Sequence, residues 1–227
     1  MIQSRQYLIV AVKADLYPLG FIDGDRAGFE VDLARELARK LFGDPKAIRF
    51  VTVKNQERQE FLEKDTVDLI IADWSITVPR ARATDFSLPY LTTSQNVLLK
   101  NGSTIQKLSD LSHRKIAVLQ GSSGAVALKN FVPDVLIVSV KSYQEGVEAV
   151  ELGRVEGFAS DSPVLGGWAK QHPAYRLIDT ELDARALAIG MPRGLETDSL
   201  RRWVNAQIAE LLKAGWLAEK ASAWGLK

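Results

Sequence analysis

Ser75 and Arg80 stand five residues apart, just past the end of an apolar run, Val67-Asp-Leu-Ile-Ile-Ala72. A guanidinium grips a carboxylate through two parallel charge-assisted hydrogen bonds, and its planar fork suits that task better than an ammonium does. A serine hydroxyl, or a backbone N–H at a strand end, completes such a grip. Residue types and spacing therefore point to the holding of a small carboxylic acid, which requires no bond chemistry. Thr77, two residues beyond Ser75, reads as structural.

A second anion-friendly place is Gln120-Gly-Ser-Ser-Gly124. It reads as strand, glycine turn and helix start, where unbonded N–H groups and the helix dipole favour negative charge. The segment lacks the Lys-Ser/Thr ending of a phosphate loop, so it does not support nucleotide binding. Asp161 follows Gly157-Phe-Ala-Ser160 at another strand–helix junction, where a carboxylate also makes a good N-cap.

Several chemistries are excluded or poorly supported. The chain has no cysteine, hence no disulfide, thiol nucleophile or Cys-ligated metal. His113 and His172 are far apart in polar, turn-like settings and make no metal pair. No Gly-x-Ser-x-Gly elbow is present for a serine hydrolase. Net charge is +1 with 25% charged residues of both signs, and no basic block suits a nucleic acid. No run of 18 apolar residues offers a membrane span. Met1-Ile-Gln-Ser-Arg5 reads as a start placed ahead of a mature domain rather than as a signal peptide.

The elements that must position these residues alternate between short apolar runs and helical patterns, the mark of an α/β fold with largely parallel sheets. With 227 residues, 46% of them hydrophobic, the chain is long enough for one or two cores. Strands are expected at 7–12, 48–53 and 67–72, with helices at 29–42 and 56–63. Val31, Leu33, Ala34, Leu37, Ala38 and Leu41 recur at helical spacing, and Gly43-Asp-Pro45 stops that helix. A second set follows: extended chain at 97–100, strands at 116–119, 136–138 and 157–160, and helices at 124–131 and 143–152. Pro163 suits the first turn of a further helix, and amphipathic helices at 198–213 and 214–224 close the chain.

The run Ser75-Ile-Thr-Val-Pro-Arg-Ala-Arg-Ala-Thr-Asp-Phe-Ser-Leu-Pro-Tyr90 resembles the signature of bacterial solute-binding proteins that feed polar amino acids to ABC importers. The resemblance continues at Gly28-Phe-Glu-Val-Asp-Leu-Ala34, Lys115-Ile-Ala-Val-Leu-Gln-Gly-Ser-Ser123, Gly157-Phe-Ala-Ser-Asp161 and Ala188-Ile-Gly-Met-Pro-Arg-Gly194. Each block is short; their shared order over nearly the whole chain carries the weight.

The resemblance implies a type II periplasmic-binding-protein fold, two α/β lobes joined by a two-strand hinge. Lobe 1 is expected at 1–91 with 188–227, lobe 2 at 95–182, and the hinge at 92–94 and 183–187. It further implies that Arg80 and Ser75 hold the ligand's α-carboxylate, with Ser122 and Ser123 approaching the same group from lobe 2. Asp161 and the backbone carbonyl of Asp73 would meet the α-ammonium group. Asp73 and Trp74 depart from the family pattern, and Trp74 either stacks on a ligand or packs in its lobe. Lys13 and Tyr17 stand where specificity is expected: a cation for a side-chain carboxylate, with Asp15 near enough to blunt it, and an aromatic wall. Arg185 offers a further cation.

The expected activity is therefore binding of glutamate or aspartate first, glutamine or asparagine next, by a monomeric extracytoplasmic protein. Its partner would be an ABC permease, with no cofactor, metal or nucleic acid. Two rivals share the scaffold: an arogenate- or prephenate-type dehydratase, and the ligand-binding domain of a sensor or receptor.

Overall fold

In the computed structural model, residues 2–226 are described. Contacts divide the chain into two compact units: residues up to Thr92 together with those from Ala186 onward, and Thr93–Arg185. The chain thus passes from one unit to the other twice.

In the first unit a five-stranded sheet runs in the order Ile48–Thr52, Leu8–Val12, Leu69–Ile70, Gly190–Met191, Asp85–Phe86. Leu8–Val12 is parallel to both of its neighbours, whereas Gly190–Met191 is antiparallel to both of its own. The sheet is therefore parallel only where helices return the chain, and antiparallel where the C-terminal segment re-enters. Val10, Ala11, Leu69 and Ile70 have no exposed surface, as expected for a strand covered on both faces. The third strand is shorter than its apolar run: Val67, Ile71 and Ala72 are buried but lie outside the paired residues.

The helix Phe29–Phe42 covers this sheet with the periodic face read from the sequence and ends on Gly43 in the left-handed region. Its start depends on Gly28, where φ is 120° and a Cβ would overlap the carbonyl oxygen of Leu19. Close approach of these two backbones lets Leu19 O accept from the Glu30 N–H at 2.9 Å. A small sheet, Asp15–Leu16, Gly20–Asp23 and Asp25–Ala27, precedes the helix and was not foreseen from the sequence. Its strands are only two to four residues long, so neither period stood out.

The second unit carries strands in the order Leu136–Val140, Lys115–Leu119, Gly157–Asp161, Leu91–Lys100, Tyr175–Leu177. The first three are mutually parallel; the last two run antiparallel to their neighbours. One face packs Val97, Leu99, Ile116, Val118 and Leu128. The other packs Leu98, Ala117, Val150, Phe158 and Leu165, the alternation expected of a sheet with helices on both sides. The helix Ser162–Gln171 begins directly after the strand Gly157–Asp161, and the helix Gly124–Phe131 follows Lys115–Leu119 after a four-residue turn, so Asp161 and Ser123 fall at N-cap positions.

Candidate functional site

In the first unit the predicted pair is brought together. Arg80 Nη1 donates to Ser75 Oγ at 2.8 Å and to the Ser75 carbonyl at 2.9 Å. Ser75 is buried and bridges Leu187, which fixes the end of the apolar run against the returning chain. Arg80 lies on the short helix Val78–Ala81, and Thr77 caps that helix by accepting from the Arg80 N–H. The helix thereby turns the guanidinium back over the strand end instead of letting it trail into solvent.

Beneath this pair lies a buried cluster that sequence reasoning passed over. Glu30 has no exposed surface, and its Oε1 accepts from the Asp73 N–H at 2.7 Å and from the Tyr90 hydroxyl at 2.6 Å. Burial pushes the Glu30 carboxyl up to about 7, and the Asp73 charge adds to the rise. Tyr90 is raised well above its ordinary range, by burial first and Glu30 second.

Arg58, also buried, donates from Nε to the Asn55 carbonyl at 3.0 Å. Its Nη1 donates to the carbonyls of Ala72 and Asp73 at 3.0 and 2.8 Å. Burial pulls the Arg58 guanidinium down to about 9, helped by the charge of Arg80. Asp73 itself has φ of 50°, a conformation unusual for a residue with a side chain. Glu30 on its N–H and Arg58 on its carbonyl hold that conformation from both sides. The available signals were the acid of Gly28-Phe-Glu-Val-Asp, placed on the apolar face of its helix, and a lone Arg on the short helix Arg58–Glu63.

The Asp73 carbonyl, foreseen as an acceptor for an ammonium group, accepts from Arg58, and a carbonyl oxygen has two lone pairs to offer. Trp74 is a packing residue: it is 3% exposed, edge-on to Phe86 at 5.1 Å and under the Arg58 guanidinium at 5.2 Å. A Cβ on Gly190 would overlap its ring, so that glycine makes room for the indole.

Lys13 is buried as well, and its Nζ donates to Asn55 Oδ1 at 3.0 Å and the Val53 carbonyl at 3.5 Å. Burial lowers its pKa from the ordinary lysine value, with Asp15 opposing and Arg58 reinforcing the shift. The sequence cast it as a cation for a ligand's side-chain carboxylate; in the structure its ammonium is turned to Asn55 and Val53. Tyr17 is 43% exposed and meets Phe21 edge-on at 5.1 Å, in a chain of rings continued by Trp224.

In the second unit, the Gly121 turn has φ of 75° and leads into the helix at Gly124. Ser122 Oγ accepts from the Gly124 N–H at 3.3 Å, whereas Ser123 Oγ accepts from Arg185 Nη1 at 2.6 Å. Asp161 is 2% exposed and makes no side-chain capping bond to its helix; its carboxylate is ion-paired with the Arg185 guanidinium. The plain capping role is thereby set aside. Among the described residues, no group of His, Cys, Asp and Glu is placed to hold a metal. Nor is any described helix long and apolar enough to cross a membrane.

Two α/β units, one bearing an arginine–serine grip at a strand end and the other a buried carboxylate at a strand–helix junction, describe a solute receptor. The family model of the bacterial extracellular solute-binding proteins, family 3, matches residues 8–227, and the chain belongs to that family. A glutamine-binding protein of Geobacillus stearothermophilus is 32% identical over 193 residues, 83% of this chain and 74% of that protein. The ABC transporter glutamine-binding protein GlnH of Bacillus subtilis (strain 168) is 25% identical over 227 residues, 98% of this chain and 82% of its own. Among solved structures, the solute receptor for L-cysteine of Neisseria gonorrhoeae matches with a TM-score of 0.91 at 28% identity, covering 98% of this chain and 91% of that one. The fold is that of the type II periplasmic amino-acid-binding proteins. The chain is a solute-binding protein and not an enzyme.

Proposed function

We propose that this chain is the extracytoplasmic substrate-binding component of an ABC importer for a polar L-amino acid, glutamate or aspartate ahead of glutamine or asparagine. The observation that carries the proposal is the Arg80 guanidinium held on Ser75 at 2.8 Å, a preassembled grip for an α-carboxylate. The turn at Asp73 beneath it is braced by Glu30 and Arg58, so little has to reorganise when ligand arrives. In the second unit, buried Asp161 supplies the anion for the α-ammonium group, and the start of the helix at Gly124 adds donors for the carboxylate. Relatives named for glutamine and for L-cysteine agree with recognition through the main-chain ends of an amino acid. Each unit contributes groups suited to one part of an amino acid, and a ligand favours whichever form of the protein it contacts best.

Calorimetric titration of the purified protein against the common amino acids tests this reading. Glutamate or aspartate is expected to bind most tightly. Arg80→Ala is expected to weaken binding by about 2–5 kcal/mol, as for truncating one partner of a buried charge pair. Affinity unchanged in that variant, or no amino acid bound by the wild type, refutes the proposal. Lysine or arginine binding more tightly than glutamate refutes the acidic preference alone.

A further inference from the structure

We propose that Gln95 is a further ligand-binding residue of the second unit, its side-chain carbonyl accepting a hydrogen bond from the ligand's α-ammonium group beside Asp161. The inference rests on the amino-acid reading above and deepens it. Residues two apart on a strand share a face. On the strand Leu91–Lys100, Leu99 and Val97 face the core that holds Ile116, Val118 and Leu128, and Gln95 is the next residue in that row. Leu99 and Val97 have no exposed surface, and Gln95 is only 2% exposed. A place as buried as its apolar neighbours is thus filled by an amide. The amide oxygen is not satisfied by the protein: Oε1 is buried and has no hydrogen-bond partner among the described residues. Asn96, on the opposite face, shows the contrast. Its side chain donates to the Ile178 carbonyl at 2.9 Å and accepts from the Val97 N–H at 2.6 Å.

The place of this amide says which group it serves. Gln95 stands directly opposite Asp161 on the antiparallel neighbour, so the two side chains leave the same face with their Cβ atoms about 5 Å apart. Gln95 Nε2 lies 3.3 Å from the point where a Cβ on Gly124 would stand, and that glycine opens the helix Gly124–Phe131. The amide therefore borders both places assigned to the main-chain ends of an amino acid. An ammonium group carries three N–H donors, and the Asp161 carboxylate already serves Arg185. A buried acceptor on the same face, with nothing donating to it, completes the set. Left empty it destabilises the fold, and an apolar side chain of the same shape would remove that cost. Because the contact is to the main-chain end, it acts alike on ligands with different side chains.

The test is calorimetric titration of wild type, Gln95→Met and Gln95→Leu with glutamate and glutamine, beside the thermal unfolding midpoint of each protein without ligand. Both variants are expected to bind the two amino acids about tenfold or more weakly, by the same factor for each ligand. Without ligand they are expected to unfold no lower than wild type, since an unsatisfied oxygen has been removed from the core. Weaker binding with a lowered midpoint, or failure of both variants to fold, marks a merely structural amide and overturns the proposal. Unchanged affinity overturns it too, as does a loss confined to one ligand, which would place the amide against the ligand's side chain. A wild type that binds amino acids no better than the variants leaves the functional reading standing. A wild type that binds none removes both.

Discussion

Replacing Glu30 by glutamine should change how the stability of the first unit depends on pH. The Glu30 carboxyl rises from an ordinary 4.5 to about 7, chiefly because it is wholly buried. At about 1.4 kcal/mol for each tenfold change in proton affinity, this penalises the charged form by about 3 kcal/mol. A carboxyl that holds its proton more tightly folded than unfolded takes up protons on folding. Its contribution is therefore most favourable below about pH 4.5, is lost as pH rises to about 7, and is level above that.

Glutamine keeps an oxygen for the Asp73 N–H and the Tyr90 hydroxyl but carries no charge at any of these pH values. Its amide nitrogen takes the place of Oε2, a buried oxygen with no hydrogen-bond partner, which adds a cost independent of pH. Relative to wild type, the stability of Glu30→Gln should thus rise by about 3 kcal/mol between pH 4.5 and 8, whatever the constant offset. Urea unfolding followed by tryptophan fluorescence measures this. Trp74, Trp203, Trp216 and Trp224, four of the chain's five tryptophans, belong to the first unit. Parallel pH profiles for the two proteins, or a difference of the opposite sign, would refute the reasoning.

Two further outcomes follow from packing. Trp74→Ala should cost about 3–5 kcal/mol in denaturant unfolding, as for other large-to-small core changes, while a stabilised background carrying it binds ligand with little change; a large selective loss of affinity would restore the indole to a ligand-stacking role. Gly28→Ala should cost about 1–3 kcal/mol in backbone strain at φ of 120°, beyond the overlap with the Leu19 carbonyl, and an unchanged urea midpoint would contradict that assignment.

How far the sequence could be read varied with the kind of interaction. The helix Phe29–Phe42 was legible to the residue, because its apolar face repeats at helical spacing and Gly43 ends it. The helices Gly124–Phe131 and Asp198–Lys213 were legible for similar reasons. Strand identity was clear where the run is wholly apolar, as at Leu8–Val12, but not at Tyr175–Leu177, whose residues are only partly buried. Pairing direction was harder. A run of apolar residues looks alike in either direction, so the antiparallel neighbours in both sheets left no local trace.

The sequence by itself determined the alternation of strands and helices, and the proximity of Ser75 to Arg80, since a five-residue separation across a short helix leaves the guanidinium little choice of partner. What only the tertiary structure decided was where each other charge would point. Lys13 lies 42 residues from Asn55, Glu30 lies 43 from Asp73, and Arg185 lies 62 from Ser123. Charges that leave water must find partners, and the chain's topology selects which distant groups stand within reach. An outward lysine and an inward one have the same sequence; burial makes the difference.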